Sequence, residues 1–236
     1  MITIRQWNTN RVLHEVPGNS LVKANLQCAS LSSAYLDDAD LSRANLSRAN
    51  LSHATMSRSV LQNTQLVETI LNGAFLCESD LRQADLSFAI LESAELIGVD
   101  LRQALLRRAE MTQCQMNNSL LDGADFEGVN LTKAILADSS MIEVNLLSAD
   151  LTDADLRGSD LRGANLSYAI LGGADLEDAY LDGARMMSVL YDENTIWPRG
   201  FQPPMDQALM VHQLPKKGLA SWFNFLKLGK FTKAVL

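Results

Sequence analysis

A hydrophobic residue recurs at every fifth position of the chain, without interruption, from Leu21 to Met186. Leucine fills most of these positions, and methionine or phenylalanine fills the others. A small residue, usually alanine, comes three residues after each hydrophobic residue, and polar residues occupy most of the remaining positions. A tandem repeat of such short units predicts a solenoid, in which each unit packs on the units before and after it.

The five-residue period excludes both an amphipathic helix and a flat strand. Five residues advance by about 500° around an α-helix, so successive leucines would spread over its whole circumference. Strand side chains alternate between faces, so an odd spacing would place successive leucines on opposite faces. The pattern therefore predicts a short extended piece followed by a bend. Repetition of this unit produces a coil with an apolar axis and polar walls.

The units also carry a recognisable motif. Residues 39–43 read Ala-Asp-Leu-Ser-Arg, residues 44–48 read Ala-Asn-Leu-Ser-Arg, and residues 164–168 read Ala-Asn-Leu-Ser-Tyr. These units resemble the pentapeptide-repeat family, whose motif is a small residue, Asp or Asn, Leu or Phe, a polar residue and a variable one. The resemblance covers residues 22–188. It implies an all-β solenoid, a right-handed quadrilateral β-helix with four units in each coil, which would form a rod about 40 Å long.

The two ends of the chain depart from the period. A stacked coil exposes unpaired backbone and apolar core at its ends, so we expect capping segments there. Residues 1–20 predict an N-terminal hairpin cap, with strands at 2–7 and 11–16, before the β-helix of residues 21–190. Residues 191–213 predict a C-terminal lid that uses Trp197 and Phe201. Part of this lid segment resembles one that often follows pentapeptide arrays in cyanobacterial proteins.

Residues 214–236 form a separate basic segment, with five lysines and no acidic residue. They predict a short amphipathic tail helix whose hydrophobic face includes Trp222, Phe223, Leu226 and Phe231. Three interpretations stay open at this stage. The tail packs back on the acidic rod, or it joins two copies as a homodimer, or it attaches weakly to an anionic membrane surface or a partner's groove.

Four-unit coils sort the outward residues onto four walls, one of which is strongly acidic. This acidic wall has nine acidic residues and two basic ones, Arg58 and Arg157. The acidic residues are Asp37, Asp38, Glu78, Glu95, Asp138, Asp155, Asp175, Glu177 and Asp178. One branch of the family is thought to mimic DNA and to bind type II topoisomerases. The resemblance therefore implies, as an alternative function, inhibition or protection of such an enzyme through the acidic wall.

Another wall carries no net charge and displays hydrophobic residues together with arginines. This neutral wall includes Phe88, Leu105, Arg107, Arg108 and Tyr168. Aromatic residues and arginine are enriched at protein interfaces, and Phe88 and Arg108 would lie one coil apart. Isolated hydrophobic residues are nonetheless ordinary on protein surfaces. We identify the neutral wall as the candidate site for binding another protein.

Catalytic chemistry has little support in the sequence. The three histidines are far apart and show no metal-ligand spacing, and no phosphate-binding loop or nucleophile elbow is present. The sequence predicts no enzyme, no cofactor, no metal and no direct nucleic-acid binding. The cysteine content and the lack of a signal sequence or membrane-spanning run predict a cytoplasmic protein. We expect a non-catalytic interaction scaffold or regulatory binding partner.

Overall fold

The computed structural model describes residues 1–203 and the backbone of residues 208–210. Short parallel bridges join residues that lie 20 positions apart, beginning with Asn25 and Asn45 and continuing to Ile170 and Leu190. Each coil therefore contains 20 residues, or four five-residue units, and no irregular coil interrupts this range. The walls sorted from the sequence consequently keep their membership over this part of the rod.

Every unit ends in a tight turn that the repeat motif explains. The Asp or Asn before the leucine accepts a hydrogen bond from the amide two residues later, as from Ser47 to Asn45 (3.0 Å) and from Ser87 to Asp85 (3.0 Å). These side chains form Asx turns that favour the bend. The second residue after the leucine adopts the left-handed conformation, with a φ near +60° at Asp38, Phe88 and many equivalent positions.

Leucine and alanine layers fill the axis of the rod. The leucine positions from Leu41 to Leu176 are fully shielded from solvent, as are nearly all the small residues between them. Where serine or threonine replaces alanine, its hydroxyl donates to a backbone carbonyl: Ser59 to Met56 (2.6 Å) and Thr64 to Leu41 (3.0 Å). A satisfied hydroxyl avoids the cost of burying an unpaired polar group, so the repeat tolerates these substitutions.

An antiparallel hairpin lies at the start of the rod. Strand β1 (Ile2–Arg5) pairs with strand β2 (Val12–Val16), and Ile4 and Val16 are buried. The end of β1 also pairs with the first coil, through the amide of Tyr35 and the carbonyl of Arg5 (2.7 Å). The two strands are shorter than the ranges 2–7 and 11–16 predicted from the sequence. The hairpin therefore adds two antiparallel strands next to the backbone of the first coil.

The regular 20-residue spacing changes at the C-terminal end of the rod. Strand β3 (Val189–Tyr191) pairs in parallel with strand β4 (Ala208–Met210), which the sequence pattern did not indicate. Asp175 pairs with Ile196, which is one residue more than the regular spacing. The ring of Trp197 lies 5.5 Å from Tyr191 and 5.4 Å from Phe201. The predicted tail helix, with Trp222, Phe223, Leu226 and Phe231, lies outside the described residues.

Candidate functional site

The structure brings together Phe88, Arg107 and Arg108 on the neutral wall. They line a shallow depression of about 460 Å³ together with Val67, Asp85, Ser87 and Glu127. Leu105 lies on the same wall between Asp85 and Asp125, which are its neighbours in the adjacent coils. The exposed fractions are 49% for Phe88 and 39% for Leu105. Four of the five candidate residues of this wall therefore lie on adjacent coils.

Tyr168 does not belong to this group. It lies four coils farther along the same wall than Phe88, or about 19 Å at roughly 4.8 Å per coil. Its nearest exposed hydrophobic neighbour is Met187, whose carbonyl accepts a hydrogen bond from the Tyr168 amide (2.8 Å). The neutral wall thus carries two separate hydrophobic areas, and the one around Phe88 includes both adjacent arginines.

Phe88 and Tyr168 share an unusual backbone conformation for large aromatic residues. Their φ angles are +60° and +61°, in the left-handed region. Most other non-glycine residues with positive φ in this chain are short or polar, such as Ser33, Asp38 and Asn63. A bulky side chain costs free energy in this conformation, and here about half of Phe88 and more than a third of Tyr168 stay exposed to solvent. Neither side chain packs in the core, so the chain gains little stability from an aromatic residue at these turn positions, which form the corners of the coil.

The two arginines of the depression differ in their electrostatic surroundings. The Nε atom of Arg107 lies 2.6 Å from Oδ2 of Asp125, and this hydrogen bond raises the pKa of Arg107 above its ordinary value. Arg108 forms no ion pair with any other residue in the part of the chain that the structure describes. Arg107 is therefore held in place, whereas the guanidinium of Arg108 keeps its donors available.

The acidic wall is less continuous than its composition indicates. Arg58 pairs with Asp38 (2.8 Å), and Arg157 pairs with Asp155 (2.6 Å) and approaches Asp175 (3.8 Å). The hydrogen bond from Arg58 lowers the pKa of Asp38, and that from Arg157 lowers the pKa of Asp155. The remaining acidic residues leave a gap between Glu95 and Asp138, where the intervening coil presents Gln115, Asn117 and Asn118. The acids therefore form two clusters with a polar, uncharged interval.

A second depression, of about 290 Å³, lies on the wall that follows the acidic wall along the chain. The sequence analysis did not identify it. Its lining consists of Gln62, Asn63, Arg82, Gln83, Arg102 and Gln103. Arg82 pairs with Asp80 (2.7 Å) and Arg102 pairs with Asp100 (2.6 Å), so both charges are compensated within the wall. One sequence signal could have identified this depression. Arginine recurs at positions 82 and 102, and amide side chains recur at positions 63, 83 and 103.

The described residues contain no group of three or more His, Cys, Asp or Glu side chains arranged to hold a metal ion. Burial raises the pKa of the Cys114 thiol to about 12, so this cysteine stays protonated and is unsuited to act as a nucleophile. Within the same residues, no helix is long and apolar enough to cross a membrane.

Comparisons with known proteins agree with the repeat geometry. The model of pentapeptide repeats matches residues 24–63, 59–96, 91–123, 119–158 and 159–186. One similar solved structure is HetL, a pentapeptide repeat protein involved in heterocyst differentiation regulation from the cyanobacterium Nostoc sp. strain PCC 7120. It is 30% identical, with 73% of this chain and 91% of HetL covered and a TM-score of 0.43.

Two further solved structures show similarity. QnrB1, a plasmid-mediated fluoroquinolone resistance protein, is 16% identical over 77% of this chain and 85% of its own, with a TM-score of 0.49. The pentapeptide repeat protein alr5209 from Nostoc is 26% identical over 54% of this chain and 84% of its own, with a TM-score of 0.24. No curated protein sequence matches. Pentapeptide repeats form right-handed β-helix solenoids. Since the family model covers most of the regular coils, the chain belongs to the pentapeptide-repeat family.

Proposed function

We propose that the protein is a non-catalytic binding partner of another protein, and that it binds through the neutral wall around Phe88, Leu105 and Arg108. The observation that carries this proposal is the exposed ring of Phe88 in a left-handed backbone conformation. A polar residue or glycine would suit that corner better, both for the backbone and for solvation. An aromatic residue that stabilises the rod so little is better explained by a contact with another molecule.

The surroundings of Phe88 support a protein as the partner. Exposed aromatic and aliphatic side chains next to arginine are typical of the centres of protein interfaces. The depression is shallow and open, which suits a protruding side chain of a partner better than an enclosed small molecule. The rod presents these residues on stacked coils, so little conformational entropy is lost on binding.

Affinity capture from a lysate of the source organism tests this proposal. The bait is the full chain, compared with a Phe88→Asn/Leu105→Ser variant. A Tyr35→Ser/Tyr180→Ser variant serves as the matched control, because these tyrosines are exposed to 56% and 58% on other walls. We expect the captured protein to be lost with the first variant and kept with the second. The reverse result would show that the partner binds outside the neutral wall.

DNA mimicry through the acidic wall has weaker support. DNA carries about one charge per 1.7 Å of its axis, or more than 20 charges over a rod of about 40 Å. The acidic wall has nine acidic residues in all, and Asp38 and Asp155 are paired with arginine. Neutralising Asp37, Asp175, Glu177 and Asp178 would abolish binding to a type II topoisomerase under this alternative. Binding that persists unchanged would exclude it.

Peripheral membrane attachment depends on the tail, which lies outside the described residues. Membrane attachment is suggested by the composition of the tail, which contains five lysines and the hydrophobic residues around Trp222. Co-sedimentation with vesicles that contain anionic lipid compares the full chain with a Trp222→Ser/Phe223→Ser variant. Equal sedimentation of both would exclude attachment through the tail.

A further inference from the structure

The last coil of the rod has an uncovered side at Tyr180. The acidic wall continues beyond this coil, since Ile196 pairs with Asp175, and the wall of strand β3 continues through strand β4. The wall that contains Tyr180 has no such continuation within the described residues. The amide of Leu161 donates to the carbonyl of Tyr180 (2.9 Å), but the amide of Leu181, one coil later, has no backbone acceptor there, although Leu181 is buried. Buried amides almost always have a partner, so we expect another segment to cover this end.

Exposed hydrophobic and acidic side chains meet at the same place. Tyr180 and Ile196 have exposed fractions of 58% and 50% and lie on neighbouring walls. Glu177 and Asp178 form the corner between these walls, are exposed, and take part in no ion pair within the described part of the chain. We call these four residues the end surface. Exposed hydrophobic groups beside unpaired charge mark interaction surfaces, and the negative sign favours a basic occupant.

The composition of the tail matches the end surface. Residues 171–184, which include the end surface apart from Ile196, contain four acidic residues and no basic one. Residues 214–236 contain five lysines and no acidic residue, together with a predicted hydrophobic face that includes Trp222 and Phe223. The tail therefore carries both the positive charge and the hydrophobic groups that would complement the end surface.

Strand β4 directs the chain toward this surface. Because β4 runs parallel to β3, the chain leaves Met210 in the direction in which it leaves Tyr191. One coil earlier, that direction leads to Ile196 on the acidic wall. Residue 214 follows Met210 by four residues, which span at most about 14 Å of extended chain. The start of the tail is therefore within reach of the end surface.

We infer that the tail, residues 214–236, binds to the end surface of its own rod. Its lysines lie beside Glu177 and Asp178, and its hydrophobic face covers Tyr180 and Ile196. A short connection gives the tail an effective concentration on the order of millimolar at this surface, so a weak contact is sufficient. A second copy present at micromolar concentration competes poorly with a segment held so close.

This contact withdraws the tail from other binding events. While the tail is bound, its hydrophobic residues are not available to a membrane surface or to a second copy. The neutral wall around Phe88 lies several coils away and stays uncovered. The inference is therefore independent of the proposed function, and each can fail without the other.

Zero-length cross-linking of the full chain by a carbodiimide, read by mass spectrometry, tests the inference. The reagent joins a carboxylate to a lysine amine only where the two are in contact. We expect links from the tail lysines to Glu177 or Asp178. The internal control is the acidic cluster at the other end of the same wall, which consists of Asp37, Asp38, Glu78 and Glu95. Absence of links to Glu177 and Asp178, or equal linking to both clusters, would overturn the inference.

A mixture of unlabelled and ¹⁵N-labelled chains separates binding within one chain from contact between copies. Links of the tail to Glu177 or Asp178 should join peptides with the same isotope label at low micromolar concentration. Links that join labelled to unlabelled peptides in statistical proportion would place the tail on a second copy and would contradict docking on its own rod.

Two matched variants test whether the charge of the end surface holds the tail. Glu177→Gln/Asp178→Asn removes two charges from the end surface, and Glu78→Gln/Glu95→Gln removes two from the control cluster. Trypsin cleavage after Lys227 and Lys230 should be about threefold or more faster in the first variant, because the bound tail is protected and the lost ion pairs release it. The second variant should be cleaved at the wild-type rate. Equal rates in the wild type and both variants, or equal acceleration in both variants, would refute docking at this surface.

Discussion

At the scale of single residues, the second position after each leucine decides how well the chain tolerates its turns. Twenty-seven non-glycine residues adopt positive φ in the described structure, and most are polar. Polar residues are solvated there and often contact the next coil, as Arg48 does with Glu68 (2.9 Å). Phe88 occupies the same kind of corner with a large apolar ring. The conformation itself was not evident from the sequence, because the motif tolerates almost any residue at this position.

Replacing Phe88 by asparagine should stabilise the rod slightly. Asparagine tolerates the left-handed conformation better than phenylalanine, and it removes an exposed apolar surface. We expect the free energy of unfolding to rise by about 0.5–1 kcal/mol, as measured by urea titration of both proteins. A fall of more than about 1 kcal/mol would show that Phe88 contributes to packing, and it would remove the argument that this residue is kept for binding.

Glycines at these corners allow a matched comparison of strain and steric clash. A Cβ atom at Gly73 would lie 2.6 Å from Nδ1 of His53, whereas one at Gly98 would meet nothing nearer than Glu78 Cγ at 3.7 Å. Both glycines have positive φ, at +59° and +68°. Gly98→Ala should therefore cost only the backbone strain, about 1 kcal/mol, and Gly73→Ala should cost about 1–2 kcal/mol more.

The double variant Gly73→Ala/His53→Ser tests the cause of this extra cost. Removal of the imidazole should bring the cost of Gly73→Ala close to that of Gly98→Ala, measured against His53→Ser alone in the same urea titrations. An unchanged cost would mean that the backbone, rather than His53, resists the methyl group.

At the scale of structural elements, the coil was predictable and its ends were predictable only in part. A strict five-residue period excludes a helix and a flat strand and predicts alternating extended pieces and bends. The resemblance to the pentapeptide-repeat family implied four units in each coil. The structure agrees over every bridge from Asn25 to Leu190. Strand β4 and the longer spacing between Asp175 and Ile196 could not be predicted, because non-repeating residues form them through long-range pairing.

The turn at Asp192 anchors the end of the regular coils. Burial would raise the pKa of Asp192, but hydrogen bonds from the amides of Gly173 (2.9 Å) and Asn194 (3.0 Å) outweigh it and lower the pKa. A carboxylate whose pKa is lower in the folded state stabilises the fold above its ordinary pKa. That contribution is lost as the pH falls through the lower value of the folded state.

An Asp192→Asn variant should consequently be less stable than the wild type at pH 7, and the difference should shrink toward zero as the pH falls to about 2. Urea midpoints measured across this range for both proteins check the prediction. A difference that is independent of pH would show that the shape of the side chain, rather than its charge, fixes this turn.

At the scale of the whole molecule, the rod presents walls of different character, and the sequence determined which residues each wall carries but not which of its charges are paired. A spacing of 20 residues places Phe88 beside Arg108 and keeps Tyr168 four coils away. The pairing of Arg107 with Asp125, and of Arg58 with Asp38, depends on side-chain conformations that a repeat motif does not specify. The first pair leaves Arg108 as the available arginine on the neutral wall, and the second compensates part of the charge of the acidic wall.

Site-specific photocrosslinking in the source organism tests the central claim most directly. A photoreactive phenylalanine analogue replaces Phe88 or Leu105 on the neutral wall, or Tyr35 or Tyr180 on two other walls, in the full chain. The proposed function predicts the same protein adduct from positions 88 and 105 and no such adduct from positions 35 and 180. An adduct from position 35 or 180, with none from 88 or 105, would contradict binding through the neutral wall.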